Sequence, residues 1–133
     1  MKLAFKLYST DDGRVPPVEY LPAGAIIPKA GMALTQSSGN LAIATGTTAP
    51  TYISMMDADA ALTAGTMIPV IRVEPGMIFE TSFSASASSV KLGNKVTLHA
   101  SNGLQVTATT TDGVAEVVYM DGTASGSMCR VRF

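Results

Sequence analysis

Few side chains in this sequence could carry chemistry. One histidine, His99, and one cysteine, Cys129, occur among 133 residues. A nucleophilic triad needs a reactive Ser or Cys, a base, and an acid that orients the base. His99 lies in Val96-Thr97-Leu98-His99-Ala100, where strand alternation turns Val96, Leu98 and Ala100 inward and His99 outward. An exposed strand histidine is the expectation. Cys129 falls on the inward set of the last apolar segment and reads as a buried, inert thiol. Gly122-Thr123-Ala124-Ser125-Gly126 has its serine one place too late for a Gly-x-Ser-x-Gly nucleophile elbow. Asp57 and Asp59 open like a calcium loop, but Ala61 and Leu62 stand where a ligand and a glycine are required. Capping of a short helix accounts for both aspartates. With one His and one Cys, a transition-metal site would need carboxylates from afar. Neither a phosphate-cradling Gly-x-x-x-x-Gly-Lys nor a dinucleotide Gly-x-Gly-x-x-Gly is present. No catalytic, cofactor-binding or metal residue is assigned, and a protein that is not an enzyme is expected.

The elements that would position any site are short. The 12 glycines recur about every ten residues from Gly13 to Gly126, with Val-, Ile-, Thr- and Leu-rich segments between them. This predicts an all-β fold, a small antiparallel barrel or sandwich of about nine short strands with at most one short helix. Residues 1–20 form an N-terminal arm or first strand with a Pro-rich linker, and residues 21–133 a single β domain. In the arm, Leu3, Phe5 and Leu7 alternate with Lys2, Lys6 and Tyr8, and Asp11-Asp12-Gly13 signals a turn. Pro16 and Pro17 cannot donate ladder bonds, so Val15 to Val18 should be extended linker. Gly31 to Thr45 reads as a hairpin turning at Ser38-Gly39-Asn40, with Ala33, Leu41 and Ile43 as core candidates. Thr51 to Met56 is a strand, and Asp57 to Ala64 is the best helix candidate.

Met67 to Val73 and Met77 to Phe83 flank Glu74-Pro75-Gly76, which fits a type II turn. Pro69 should place the first of these strands at an edge or mark its beginning. Ser84 to Ser89 connects to strands at Lys95 to Ala100, Leu104 to Thr110, Val114 to Met120 and Ser127 to Phe133. In the last, Cys129, Val131 and Phe133 point one way and Met128, Arg130 and Arg132 the other. Gly31 to Thr48 and Gly93 to Thr111 share a Gly, Thr, Ser/Asn/Gly turn, Leu pattern, open to reading as a duplication or as two similar hairpins.

Composition bounds the partners. Net charge is −1, from 9 basic and 10 acidic residues, so no electrostatic footprint for nucleic acid or an anionic membrane is present. Charged residues are 14% of the chain, below the usual quarter, and Ala, Ser and Thr fill the deficit. A single Cys excludes a disulfide framework. No apolar run reaches the length of a membrane span, and Lys6 interrupts any signal-peptide core, so synthesis in a host cytoplasm without a secretion signal is expected. Val114 to Met120 carries Ala115, Val117 and Tyr119 on one face and Val114, Val118 and Met120 around Glu116 on the other. Such a two-faced strand calls for a second layer or a partner subunit, so self-association is expected.

Several segments resemble tailed-bacteriophage capsid decoration (cement, head-stabilising) proteins. They are Tyr20-Leu21-Pro22-Ala23-Gly24, Lys29-Ala30-Gly31-Met32-Ala33-Leu34, Gly39 through Thr48 (GNLAIATGTT), Ile68-Pro69-Val70 and Gly93-Asn94-Lys95-Val96. The resemblance covers roughly residues 18 to 133 and consists of turn and strand patterns. It implies a small β-barrel-like fold, a place on the outer surface of an assembled head in the virion, the major capsid protein as partner, a homotrimer, and no catalysis or cofactor. It also implies an N-terminal arm that clamps the capsid lattice, for which Lys2, Leu3, Phe5, Lys6, Leu7, Tyr8, Pro16 and Pro17 are the candidate contacts. Another phage structural module, such as a tail or receptor-binding β domain, and a small β-barrel ligand-binding domain are the rival expectations. The second would need a pocket converging on His99, Asp57 or Asp59.

Overall fold

The computed structural model of the chain describes residues 4–133. Every regular element among them is a β-strand, so the chain is all-β, with ten strands and no helix. They are β1 (Lys6–Ser9), β2 (Val18–Ala23), β3 (Ala33–Ser37), β4 (Asn40–Ile43), β5 (Tyr52–Ser54), β6 (Thr66–Arg72), β7 (Ile78–Ser82), β8 (Lys95–Val96), β9 (Ala115–Met120) and β10 (Met128–Arg132). Strands β2-β4-β3-β5-β6 close into a barrel, and the other five form a sheet in the order β1-β7-β10-β9-β8. The barrel is one continuous stretch of chain inserted between β1 and β7, which are neighbours in the sheet.

Alternation builds two cores. Leu34, Leu41, Tyr52, Ile68 and Val70 point into the barrel. The opposite set on the same strands, Ala33, Ile53 and Ile71, packs outward against the sheet, where Phe5, Phe79, Phe83, Leu98, Val117 and Val131 complete a larger cluster. At one mouth of the barrel Arg72 donates Nε and Nη2 to the two oxygens of Glu19 at 3.1 and 3.0 Å. Its guanidinium lies 5.8 Å from the Tyr52 ring centroid. The Glu19 bond and charge push the Arg72 pKa up.

Turn chemistry sets the register. The β3–β4 hairpin turns at Ser38 and Gly39, both at positive φ (52° and 84°), with Ser37 opposite Asn40. That is the backbone a two-residue primed turn demands. Gly76 at φ 86° supplies the left-handed position of the Glu74-Pro75-Gly76 turn.

Four expectations are corrected. Asp57 to Ala64 is irregular rather than helical: the Ala58 and Leu62 N–H groups go to Pro28 and Ile26 carbonyls, and two turns of helix could not outcompete that pairing. Pro69 sits mid-strand in β6, paired to β2 opposite Tyr20. Its carbonyl accepts the Met55 N–H at 2.9 Å, and its nitrogen faces the same side, so the cost is limited to the one return bond to Met55, just past the end of β5. Leu104 to Thr110 is no strand. It meets its neighbours in single bridges at Val106, with Thr97 and Thr107 hydroxyls hydrogen-bonded at 2.7 Å. The second of the two similar segments still folds back on itself, with antiparallel backbone bonds from Thr97 to Thr109, Thr107 to Thr97 and His99 to Gln105, but only the first is a regular hairpin. Finally, β9 is not two-faced as expected. A bulge lets Arg130 oppose Tyr119 while Val131 opposes Val117, so Glu116 and Tyr119 share the outer face and Met120 turns back onto the core.

Candidate functional site

The residues singled out for chemistry are dispersed. His99 is half-buried, not displayed outward on a strand, and its Nδ1 accepts N–H bonds from Ser101 and Asn102, both at 3.1 Å. The imidazole therefore closes the 99–102 turn, and Ala100, expected inward, is exposed. Cys129 is fully buried, and burial pushes its thiol up to about 12. Asp57 accepts the Ala30 N–H at 3.0 Å through Oδ1, tying two loops rather than capping a helix. Ser125 donates its hydroxyl to the Ser84 carbonyl at 3.3 Å. Among the described residues no three His, Cys, Asp or Glu side chains converge as a metal group would require.

The arm residues, by contrast, are partly brought together. Phe5 is 1% exposed, and the Phe133 ring meets it edge-on at 5.5 Å between centroids. Phe5 donates its N–H to the Gly31 carbonyl at 2.9 Å, and Gly31 donates to Ser54 at 2.7 Å. This approach explains Gly31: at φ 85° a β-carbon there would lie 2.7 Å from that of Ala4 and 2.9 Å from the Phe5 carbonyl oxygen. Leu7 packs against the core edge, while Lys6 and Tyr8 face solvent. Lys2 and Leu3 lie outside the described residues.

Two clefts meet at the linker. One, of about 500 Å³, runs between β1 and the barrel and is lined by Phe5, Lys6, Leu7, Val15, Pro16, Val18 and Met55 among others. Lys6 is its single ionisable residue. The other, of about 430 Å³, has charged walls, including Asp11, Asp12, Arg14, Glu19 and Arg72, and takes in Pro17. Val15 and Pro16 divide them. Neither cleft contains His99, Asp57 or Asp59.

The apolar cleft continues onto an unusual surface. Cross-strand register places Val18, Tyr20 and Pro22 on β2 beside Ile71, Pro69 and Met67 on β6, with Ile53 opposite Ile71 and Met55 bonded to Pro69. All eight occupy the barrel's outer wall and none is polar except for the tyrosine hydroxyl. The sheet covers Ile53 and Ile71 only; Val18, Tyr20, Met55 and Met67 are each at least half exposed. An antiparallel wall facing water ordinarily alternates to polar residues, and a contiguous apolar patch of this kind is a surface that gains by being covered.

The sheet's outer face is built differently. Lys6, Glu80, Arg130 and Tyr119 stand in one transverse row, and Arg132, Glu116 and Lys95 in the next. Arg130 donates Nε to Glu80 at 3.0 Å and lies between two tyrosines, 3.9 Å from the Tyr8 centroid and 4.5 Å from that of Tyr119. Arg132 donates Nε to Glu116 at 2.7 Å, which holds that carboxyl below its ordinary range.

No protein-family model matches the chain, and no curated protein matches it.

Proposed function

We propose that this protein decorates the outer surface of an assembled tailed-phage capsid, binding the major capsid protein as a homotrimer and reinforcing the head without catalysis. The observation that carries the reading is the apolar β2–β6 side of the barrel's outer wall, a surface suited to being covered by protein in an assembly. The turn and strand patterns that resemble the decoration family, and the short-stranded all-β fold, support it further. Repetition by capsid symmetry lets contacts of modest strength hold collectively.

Co-sedimentation with expanded heads of the same phage tests the reading. The protein should pellet with heads at a fixed copy number and stay in the supernatant without them. Protein that remains in the supernatant in the presence of heads overturns it.

A further inference from the structure

We propose that the cleft between β1 and the barrel accepts one extended peptide strand, which adds to the free edge of β1 and carries an acidic residue opposite Lys6. β1 is paired on one side only, to β7. Phe5, just before it, donates its N–H to Gly31 on the opposite, barrel side. Strand alternation turns the N–H and C=O of Leu7 to that same side. There, among the described residues, they meet no backbone partner, and they border the cleft, of which Leu7 is a lining residue. An exposed edge of this kind is a template for another strand.

The walls select the occupant. Val15, Pro16, Val18 and Met55 offer apolar contacts to alternate side chains. Lys6 forms no ion pair among the described residues, since the carboxylate opposite it, Glu80, is taken by Arg130. An acidic side chain in the incoming strand complements it. The barrel closes the far side of the cleft, so addition stops at one strand, and the bulge between Leu7 and Ser9 bends β1 at its other end. The four described arm residues around Phe5 are thus already spent in this chain's own sheet, and they act as the acceptor in the contact rather than as the donated strand. For the source of that strand the proposal rests on the capsid reading, in which the capsid protein supplies it; the site itself does not depend on that reading.

The test is an NMR titration of the full chain with the capped hexapeptide acetyl-Thr-Val-Glu-Val-Thr-Val-amide. Shift changes and slowed amide exchange should concentrate at Leu7, Val15, Val18 and Met55. N-methylation of the peptide's central backbone nitrogens should weaken binding by about tenfold, the worth of one backbone hydrogen bond. Lys6→Glu should weaken this peptide and strengthen one carrying Lys in place of Glu. An absence of shifts at Leu7, or equal binding of the N-methylated peptide, overturns strand addition. Met55→Glu, on an exposed position that leaves the fold intact, should abolish the shifts; retained binding also overturns it. Head co-sedimentation is scored separately: peptide binding with no head binding retains this site and removes the capsid reading, and the converse removes this site alone.

Discussion

On the sheet's outer face, Glu80 lies between Lys6 and Arg130, and Glu116 between Arg132 and Lys95. On the barrel's outer wall, Val18, Tyr20, Met55, Met67 and Pro69 present carbon to solvent with no charge among them. Both surfaces come from the same two-residue alternation in the same chain. The difference is what each surface leaves unfinished. The sheet pairs Arg130 with Glu80 and Arg132 with Glu116 and leaves Lys6 over, whereas the barrel wall gains by exclusion from water only when something covers it. In a chain with so few charges, those it has are concentrated on the sheet's outer face and around the barrel mouth, and the wall is left clear of them.

The two regions are joined at Phe5, where the largest effect is expected. Phe5→Ala removes a ring shared by the sheet core and the approach to Gly31, and should lower unfolding free energy by about 3–5 kcal/mol in chemical denaturation. A small loss would mean that β1 is an accessory to the sheet, not part of it. Next in size, Arg130→Ala loses a half-buried ion pair and two stacked rings and should cost about 1–2 kcal/mol. Arg132→Ala, on a half-exposed pair, should cost clearly less. Equal values would erase the distinction drawn between the two rows.

His99→Ala should cost about 1 kcal/mol by freeing two N–H groups, measured in the same way. The turn role would be contradicted by a change near zero. The smallest effect concerns Glu116. Its carboxyl is held low by Arg132, so its contribution is present above the ordinary carboxylate pKa and is lost as pH falls through the lowered value. Glu116→Gln should therefore lower stability slightly at neutral pH, leave it unchanged at low pH, and so flatten the acid limb of the stability profile.

Much of this was legible in the residues. The Ser38-Gly39 and Pro75-Gly76 turns, the inward Cys129 and Val131, and the outward Arg130 and Arg132 follow from local turn and strand rules. The closure of a barrel around Leu34 and Val70 did not, because closure depends on which strands meet, such as β2 with β6, across some fifty intervening residues. Pro69 misled for the same reason: its missing N–H matters only relative to where β5 stops. The β9 bulge reassigned Tyr119 and Met120 to opposite faces, and a one-residue slip leaves no mark in an alternation pattern. The arm residues were named as contacts, but their division into a buried Phe5, a cleft-lining Leu7 and exposed Lys6 and Tyr8 required the docking on Gly31 that no local pattern encodes.

In the proposed capsid role, the apolar barrel wall, and not the ion-paired sheet face, is the surface that meets the head. Hydroxyl-radical footprinting of the protein free and bound to heads reads both surfaces at once, through Met55 and Met67 on the wall and Tyr119 on the sheet. Oxidation of Met55 and Met67 should fall sharply on binding while that of Tyr119 is unchanged. Protection of Tyr119 with Met55 and Met67 still oxidised would contradict it.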